Sequence, residues 1–177
     1  MSSSLTDALN ELHADPDTVQ QGLRLFMSEQ TNDLTPTEML AEMKSKARDP
    51  EELEQLLARL REDNAAINQA ALASLEAAWS DPSARPSIQA SLRHAKDKLP
   101  VIELGILAIV AMYAMYRCIP AQPTKTTTTI AAGKDGNYTQ TTTVEHEPFL
   151  PIVSAFGRLF TRTDSGEGSG TPSKGKG

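Results

Sequence analysis

The sequence predicts a mainly α-helical protein. A small N-terminal helical bundle with a long helical hairpin runs into a single transmembrane helix, and a β-hairpin, a short amphipathic helix and a disordered tail follow. Three observations predict this fold class: helix-start signals recur through the first 82 residues, one long apolar run follows them, and the next stretch changes to a threonine-rich pattern typical of strands. The corresponding segments are 1–98, 99–119, 120–148, 149–162 and 163–177.

The helix-start signals share one design. Each has a short polar side chain that can cap a helix, followed by an acidic residue three positions later, by proline at the first helical position, or by both. They predict helices over about 5–13, 16–30, 36–47, 50–79 and 83–117, with the last one running into the apolar segment. The capping residues are Ser4, Asp15, Thr35, Asp49 and Asp81.

The predicted helix 50–79 carries apolar residues at heptad spacing, with one asparagine in the seam. Such a seam favours self-association, and a buried asparagine there would set the register. An antiparallel intramolecular hairpin with the following helix would use the same side chains, and it is the preferred interpretation. The seam consists of Leu53, Leu57, Leu60, Asn64 and Ile67.

The apolar run has the composition of a membrane span, and its length decides where the span begins and ends. Residues 104–116 contain no charge or proline, but as a helix they reach only about 20 Å, against a hydrocarbon core of about 30 Å. Residues 99–119 reach about 31 Å, with Glu103 and Arg117 near the boundaries. The alternative is a core helix of a bundle. The residues assigned to the span are Leu104, Ile106, Leu107, Ile109, Val110, Met112, Tyr113, Met115 and Tyr116.

Charge predicts the orientation and excludes one class of partner. Four Lys or Arg residues lie shortly before the span, against Arg117 at its C-terminal end and Lys125 shortly after it, which favours a cytoplasmic N-terminal domain. Residues 1–98 contain 17 acidic and 10 basic residues, a net charge of −7. Such an acidic domain is not expected to bind nucleic acid, because phosphate contacts need clustered Lys and Arg.

The region after the span predicts a β-hairpin and then an amphipathic helix. Two β-branched segments flank the turn-forming residues 132–137, and the hairpin is expected to rest on the membrane surface, on the helical domain or on another copy. Residues 149–162 predict a helix at the membrane interface, with docking on protein as the alternative. Residues 163–177, rich in Gly and Ser, predict disorder. The apolar face of the amphipathic helix consists of Phe149, Ile152, Val153, Phe156, Leu159 and Phe160.

The sequence indicates no catalytic, cofactor-binding or metal site. Its three histidines lie in separate segments, Cys118 has no base nearby, and the Gly133–Gly136 segment lacks the following helix of a phosphate-binding loop. We therefore expect a non-enzymatic single-span membrane protein, whose cytoplasmic helical domain associates with itself or with a protein partner. One alternative is a membrane-perturbing effector, pore-forming or lytic, that is triggered by assembly of the helical domain. The other is a structural subunit of a virion or secretion assembly.

Overall fold

The computed structural model describes residues 4–97, 103–119 and 127–143, which form seven α-helices and a two-stranded antiparallel sheet. A mainly helical protein with a β-hairpin is therefore confirmed. In the sheet, Ile130 lies opposite Gln140. The elements are α1 (Leu5–Leu12), α2 (Pro16–Gln30), α3 (Pro36–Lys46), α4 (Pro50–Glu62), α5 (Asn64–Trp79), α6 (Arg85–Asp97), α7 (Leu104–Cys118), β1 (Thr127–Ala132) and β2 (Tyr138–Thr143).

The first helices begin where their capping residues predict. The Ser4 hydroxyl accepts a hydrogen bond from the Asp7 amide at 3.1 Å, and the Asp7 carboxylate accepts one from the Ser4 amide. Thr35 opens α3 with the same reciprocal pair. Before α2, the Thr18 hydroxyl and amide both donate to the Asp15 carboxylate, which lowers its pKa. Local hydrogen bonds thus determine these helix boundaries.

The prediction of one continuous helix over 50–79 is wrong, because the helix is interrupted at Asp63. This residue has an extended backbone (φ −128°, ψ 94°), and its carboxylate accepts the amide of Ala66 at 3.1 Å to cap α5. A short acidic side chain that can bond its own backbone competes with helix continuation. The heptad seam is therefore divided between α4 and α5.

The predicted helix 83–117 is also divided, into α6 and α7. The Asp81 carboxylate accepts the amide and hydroxyl of Ser83 in a turn, and α6 begins at Arg85. The apolar face of α6 packs chiefly against α2 and makes only a minor contact with α5, which the predicted hairpin required as its main partner. Gly22 permits this packing, since a β-carbon there would lie 2.6 Å from Leu92 Cδ2 and 3.3 Å from its Cα.

Helix α7 occupies the centre of the hydrophobic core. It packs against α2, α3, α4 and α5, and every residue from Leu107 to Met115 is buried. The uninterrupted apolar run of the sequence thus lies in α7, which is 15 residues long. Within the three described ranges, no helix has both the length and the apolar character that crossing a membrane requires.

Candidate functional site

The β-hairpin rests on the helical domain, which is one of the three supports that the sequence left open. Tyr138 is only 4% exposed, and its hydroxyl donates to the carbonyl of Ala14. Ile130 is 8% exposed on the same side of the sheet, and β1 contacts α5. Burial raises the pKa of Tyr138 to about 12, with a smaller contribution from the Asp15 carboxylate. The phenol therefore stays a hydrogen-bond donor at all physiological pH values.

The outer edge of β2 is capped at Tyr138 by a side chain of α1. The Tyr138 amide donates to Asn10 Oδ1 at 2.8 Å, and Asn10 Nδ2 donates to the Tyr138 carbonyl at 3.3 Å. One amide side chain therefore satisfies both outward backbone groups of Tyr138, which a neighbouring strand would otherwise use. Further along this edge, the Thr6 hydroxyl donates to Gln140 Oε1 at 3.3 Å.

The outer edge of β1 has a different environment. In an antiparallel pair, every second residue of a strand bonds the partner strand, and the residues between them point their N–H and C=O groups outward. Gly133 is one of the bonded residues, because its amide donates to the Asn137 carbonyl next to the turn. Ala132, Ile130 and Thr128 therefore direct their N–H and C=O groups away from β2. No described residue hydrogen-bonds the outward groups of Ile130 or Ala132. The β1 edge is the candidate interaction surface of the hairpin.

A polar contact joins the C-terminal half of α7 to α3. The Tyr113 hydroxyl donates to Glu42 Oε2 at 2.6 Å, and Arg117 Nη1 lies 4.0 Å from Glu42 Oε1. The Tyr116 ring lies beside that of Tyr113, with 5.8 Å between the ring centroids.

A second polar cluster lies where α5 meets α6. Arg85 Nε donates to the Trp79 carbonyl at 2.9 Å, and its guanidinium lies over the Trp79 ring at 5.8 Å from the centroid. Trp79 Nε1 and Glu76 Oε2 are buried without a hydrogen-bond partner in the described chain. Burial raises the pKa of Glu76, and the charge of Arg85 offsets only part of this effect.

We predict that Glu76→Gln stabilises the fold at neutral pH. A raised folded-state pKa means that the ionised carboxylate costs stability, and this cost is absent below the unfolded-state pKa. The gain in the free energy of unfolding should therefore be near zero at about pH 4 and develop as the pH rises through the folded-state pKa of Glu76. We expect it to reach at most about 1 kcal/mol, because the side chain is half-buried and partly hydrated. Urea unfolding at several pH values measures it.

The control for this prediction is Glu51→Gln, an exposed carboxylate in the first turn of α4. Loss of that charge should not raise the free energy of unfolding, since an acidic side chain is favourable near a helix N-terminus. A pH-independent stabilisation by Glu76→Gln, or an equal gain from Glu51→Gln, would contradict the assignment.

The residues assigned to the membrane span all lie in α7. Those from Leu107 to Met115 are buried, Ile106 and Tyr116 are partly buried, and Leu104 at the start of the helix is 46% exposed.

In the association seam, Leu53, Leu57, Leu60 and Ile67 are buried within the chain, while Asn64 is exposed and accepts a hydrogen bond from Gln20.

Other predicted features lie outside the described residues. These are the amphipathic helix with its face from Phe149 to Phe160 and the tail 163–177. Within the described ranges, no group of three His, Cys, Asp or Glu side chains is arranged to hold a metal ion. The Gly133–Gly136 segment forms the hairpin turn, with Gly136 at φ +80°.

Sequence reasoning missed Asn10, Glu42 and Glu76. Each is a polar residue on a helix, and no local pattern distinguishes it from its solvated neighbours. Asn10 and Tyr138 are 128 positions apart in sequence, so only the tertiary fold reveals their pairing. Comparison with models of protein families, with curated proteins and with solved structures gives no match.

Proposed function

We propose that this chain is a membrane-active protein that holds its apolar helix inside the bundle and transfers it to a bilayer when the bundle opens. One observation carries the proposal: α7 is apolar on all sides and is covered by four other helices. A helix that is hydrophobic all round is stable in a protein core or in a membrane. The chain therefore contains one element suited to both environments.

The packing favours a protein with two states over a permanently anchored one. The helices around α7 bury apolar side chains, among them Met43 on α3 and Leu57 on α4. If α7 left the core, these faces would be exposed to water, which costs about 25 cal/mol for each Å² of apolar surface. A folded N-terminal domain and an inserted α7 therefore exclude each other. This supports the membrane-perturbing function over the simple anchor.

Insertion would also need a longer helix than the one in the bundle. The 15 residues of α7 reach about 22 Å, whereas residues 99–119 would reach about 31 Å and match the hydrocarbon core. We propose this segment as the inserted span, in a single pass with the N-terminal helices on the cytoplasmic side. The predicted face from Phe149 to Phe160 would lie at the interface of the same membrane.

The substitution Gly105→Asp tests the proposal without removing any core side chain. Gly105 lies in the first turn of α7, and a β-carbon there would meet only Arg61 Nε, at 3.7 Å. In the bundle, the new carboxylate would gain from the helix dipole and from Arg61. Within the proposed span it would cost about 1–2 kcal/mol, and we expect a roughly five- to thirtyfold loss of dye leakage from anionic liposomes.

The matched control is Gly105→Ala, which adds a side chain at the same position without a charge. We expect it to retain the leakage activity of the parent, while thermal unfolding shows that both variants remain folded. A parent chain that leaves liposomes intact and stays in the supernatant would refute the proposal. Equal leakage by the Asp and Ala variants would refute insertion of α7.

A second candidate function is protein association by a bundle that remains closed. The observation that favours it is the β1 edge, which presents unpaired backbone groups beside a capped β2 edge. Association through the buried seam of α4 and α5 would require the core to open. A non-enzymatic adaptor or a subunit of a larger assembly would therefore use the hairpin.

A further inference from the structure

We infer that the β1 edge is a self-association surface, which pairs antiparallel with β1 of a second copy of this chain to form a four-stranded sheet. The inference is independent of membrane activity, since it concerns the hairpin and not α7. The hairpin is held on the bundle by Tyr138 and Ile130, so its open edge is fixed before any partner arrives. Such preorganisation lowers the entropy cost of association.

The register follows from the alternation of backbone groups. Thr128, Ile130 and Ala132 are the three residues of β1 whose N–H and C=O groups point outward. In an antiparallel pair, residues that exchange hydrogen bonds lie directly opposite each other. A two-fold axis at Ile130 places Ile130 opposite its copy and Thr128 opposite Ala132. This register uses every outward group of both strands.

The chemistry of β1 fits a second copy. All six residues are uncharged, so two antiparallel copies meet without like-charge pairs, although the whole chain has a net charge of −6. The strand also lacks the lysines and prolines that block edge pairing in many sheets. On the other side of the hairpin, α1 lies along β2, where Asn10 bonds the outward groups of Tyr138 and Thr6 bonds the Gln140 side chain. A strand could pair with β2 only by displacing α1, so the self-complementary surface is assigned to β1.

The variant Ala132→Pro tests the pairing. Proline removes an outward amide and leaves the β1–β2 ladder unchanged, because Ala132 donates no hydrogen bond to β2. The control Ala132→Thr keeps the amide. Analytical ultracentrifugation of the full chain over a concentration series should show dimers for the parent and the Thr variant. We expect the dissociation constant of the Pro variant to rise at least tenfold.

Amide hydrogen exchange gives a second readout that needs no variant. Exchange at Ile130 and Ala132 should slow as the concentration of the parent rises, while exchange at exposed Lys134 in the turn stays constant. A parent that is monomeric throughout the series would overturn the inference. A dimer that resists Ala132→Pro would also overturn it, since association would then use another surface. Neither result affects the liposome test of α7.

Discussion

Replacing Tyr138 with alanine will release the β-hairpin from the helical domain. The side chain is 4% exposed, and its hydroxyl satisfies the carbonyl of Ala14, which is itself buried. Loss of a buried aromatic ring costs about 3–5 kcal/mol, and the unpaired carbonyl adds to this cost. We expect faster amide exchange throughout residues 127–143 and earlier proteolysis at the turn, together with a lower unfolding temperature.

Thr139→Ala is the control, because Thr139 is the next residue of β2 and lies exposed on the opposite face. Its effect should stay within about 0.5 kcal/mol. The pH dependence is a further check: with a folded-state pKa of about 12, Tyr138 contributes stability that is complete below pH 10 and is lost as the pH rises towards 12. Equal exchange rates in the two variants would mean that Tyr138 does not anchor the hairpin.

Replacing Gly22 with valine will lower the free energy of unfolding by about 1–3 kcal/mol. A β-carbon at this position lies within 3.3 Å of three Leu92 atoms, one of them the backbone Cα. The leucine side chain can rotate, but the backbone can yield only if α2 and α6 move apart. The loss should appear in urea unfolding as a lower midpoint with an unchanged slope.

Gly105→Val makes the same chemical change at a helical glycine with open surroundings. Its β-carbon would meet only Arg61 Nε, at 3.7 Å. We expect the free energy of unfolding to stay within about 0.5 kcal/mol of the parent value. If both valine variants lose the same stability, the close contact of α2 and α6 has no special cost, because helix propensity favours valine over glycine at both positions.

The sequence was sufficient for the features that local interactions determine. Ser4, Asp15, Thr35 and Asp49 cap their helices with side chains that reach only two or three residues along the chain. The hairpin was predictable for a similar reason, since its β-branched strands flank a turn with glycine at a positive φ. In each case, the residues that determine the local structure lie within a few positions of it in the sequence.

The environment of α7 depends on distant parts of the chain. An apolar helix of this length gives the same pattern in a core and in a bilayer, and the contacts that differ come from elsewhere, as with Glu42, 71 positions before Tyr113. The heptad pattern continues through Asp63 and therefore gives no indication that the helix is interrupted there. Apolar spacing records which face is buried, but it does not record which neighbour covers that face.

Helix α1 limits how large a β-assembly of this protein can become, because Asn10 and Thr6 hold it along β2. A fibril grows because every strand that joins offers a fresh edge to the next one. Here each copy has one edge for pairing and one along which α1 lies at Tyr138 and Gln140, so a third copy could pair with β2 only by displacing α1. The threonine-rich hairpin can therefore associate without becoming a template for open-ended polymerisation.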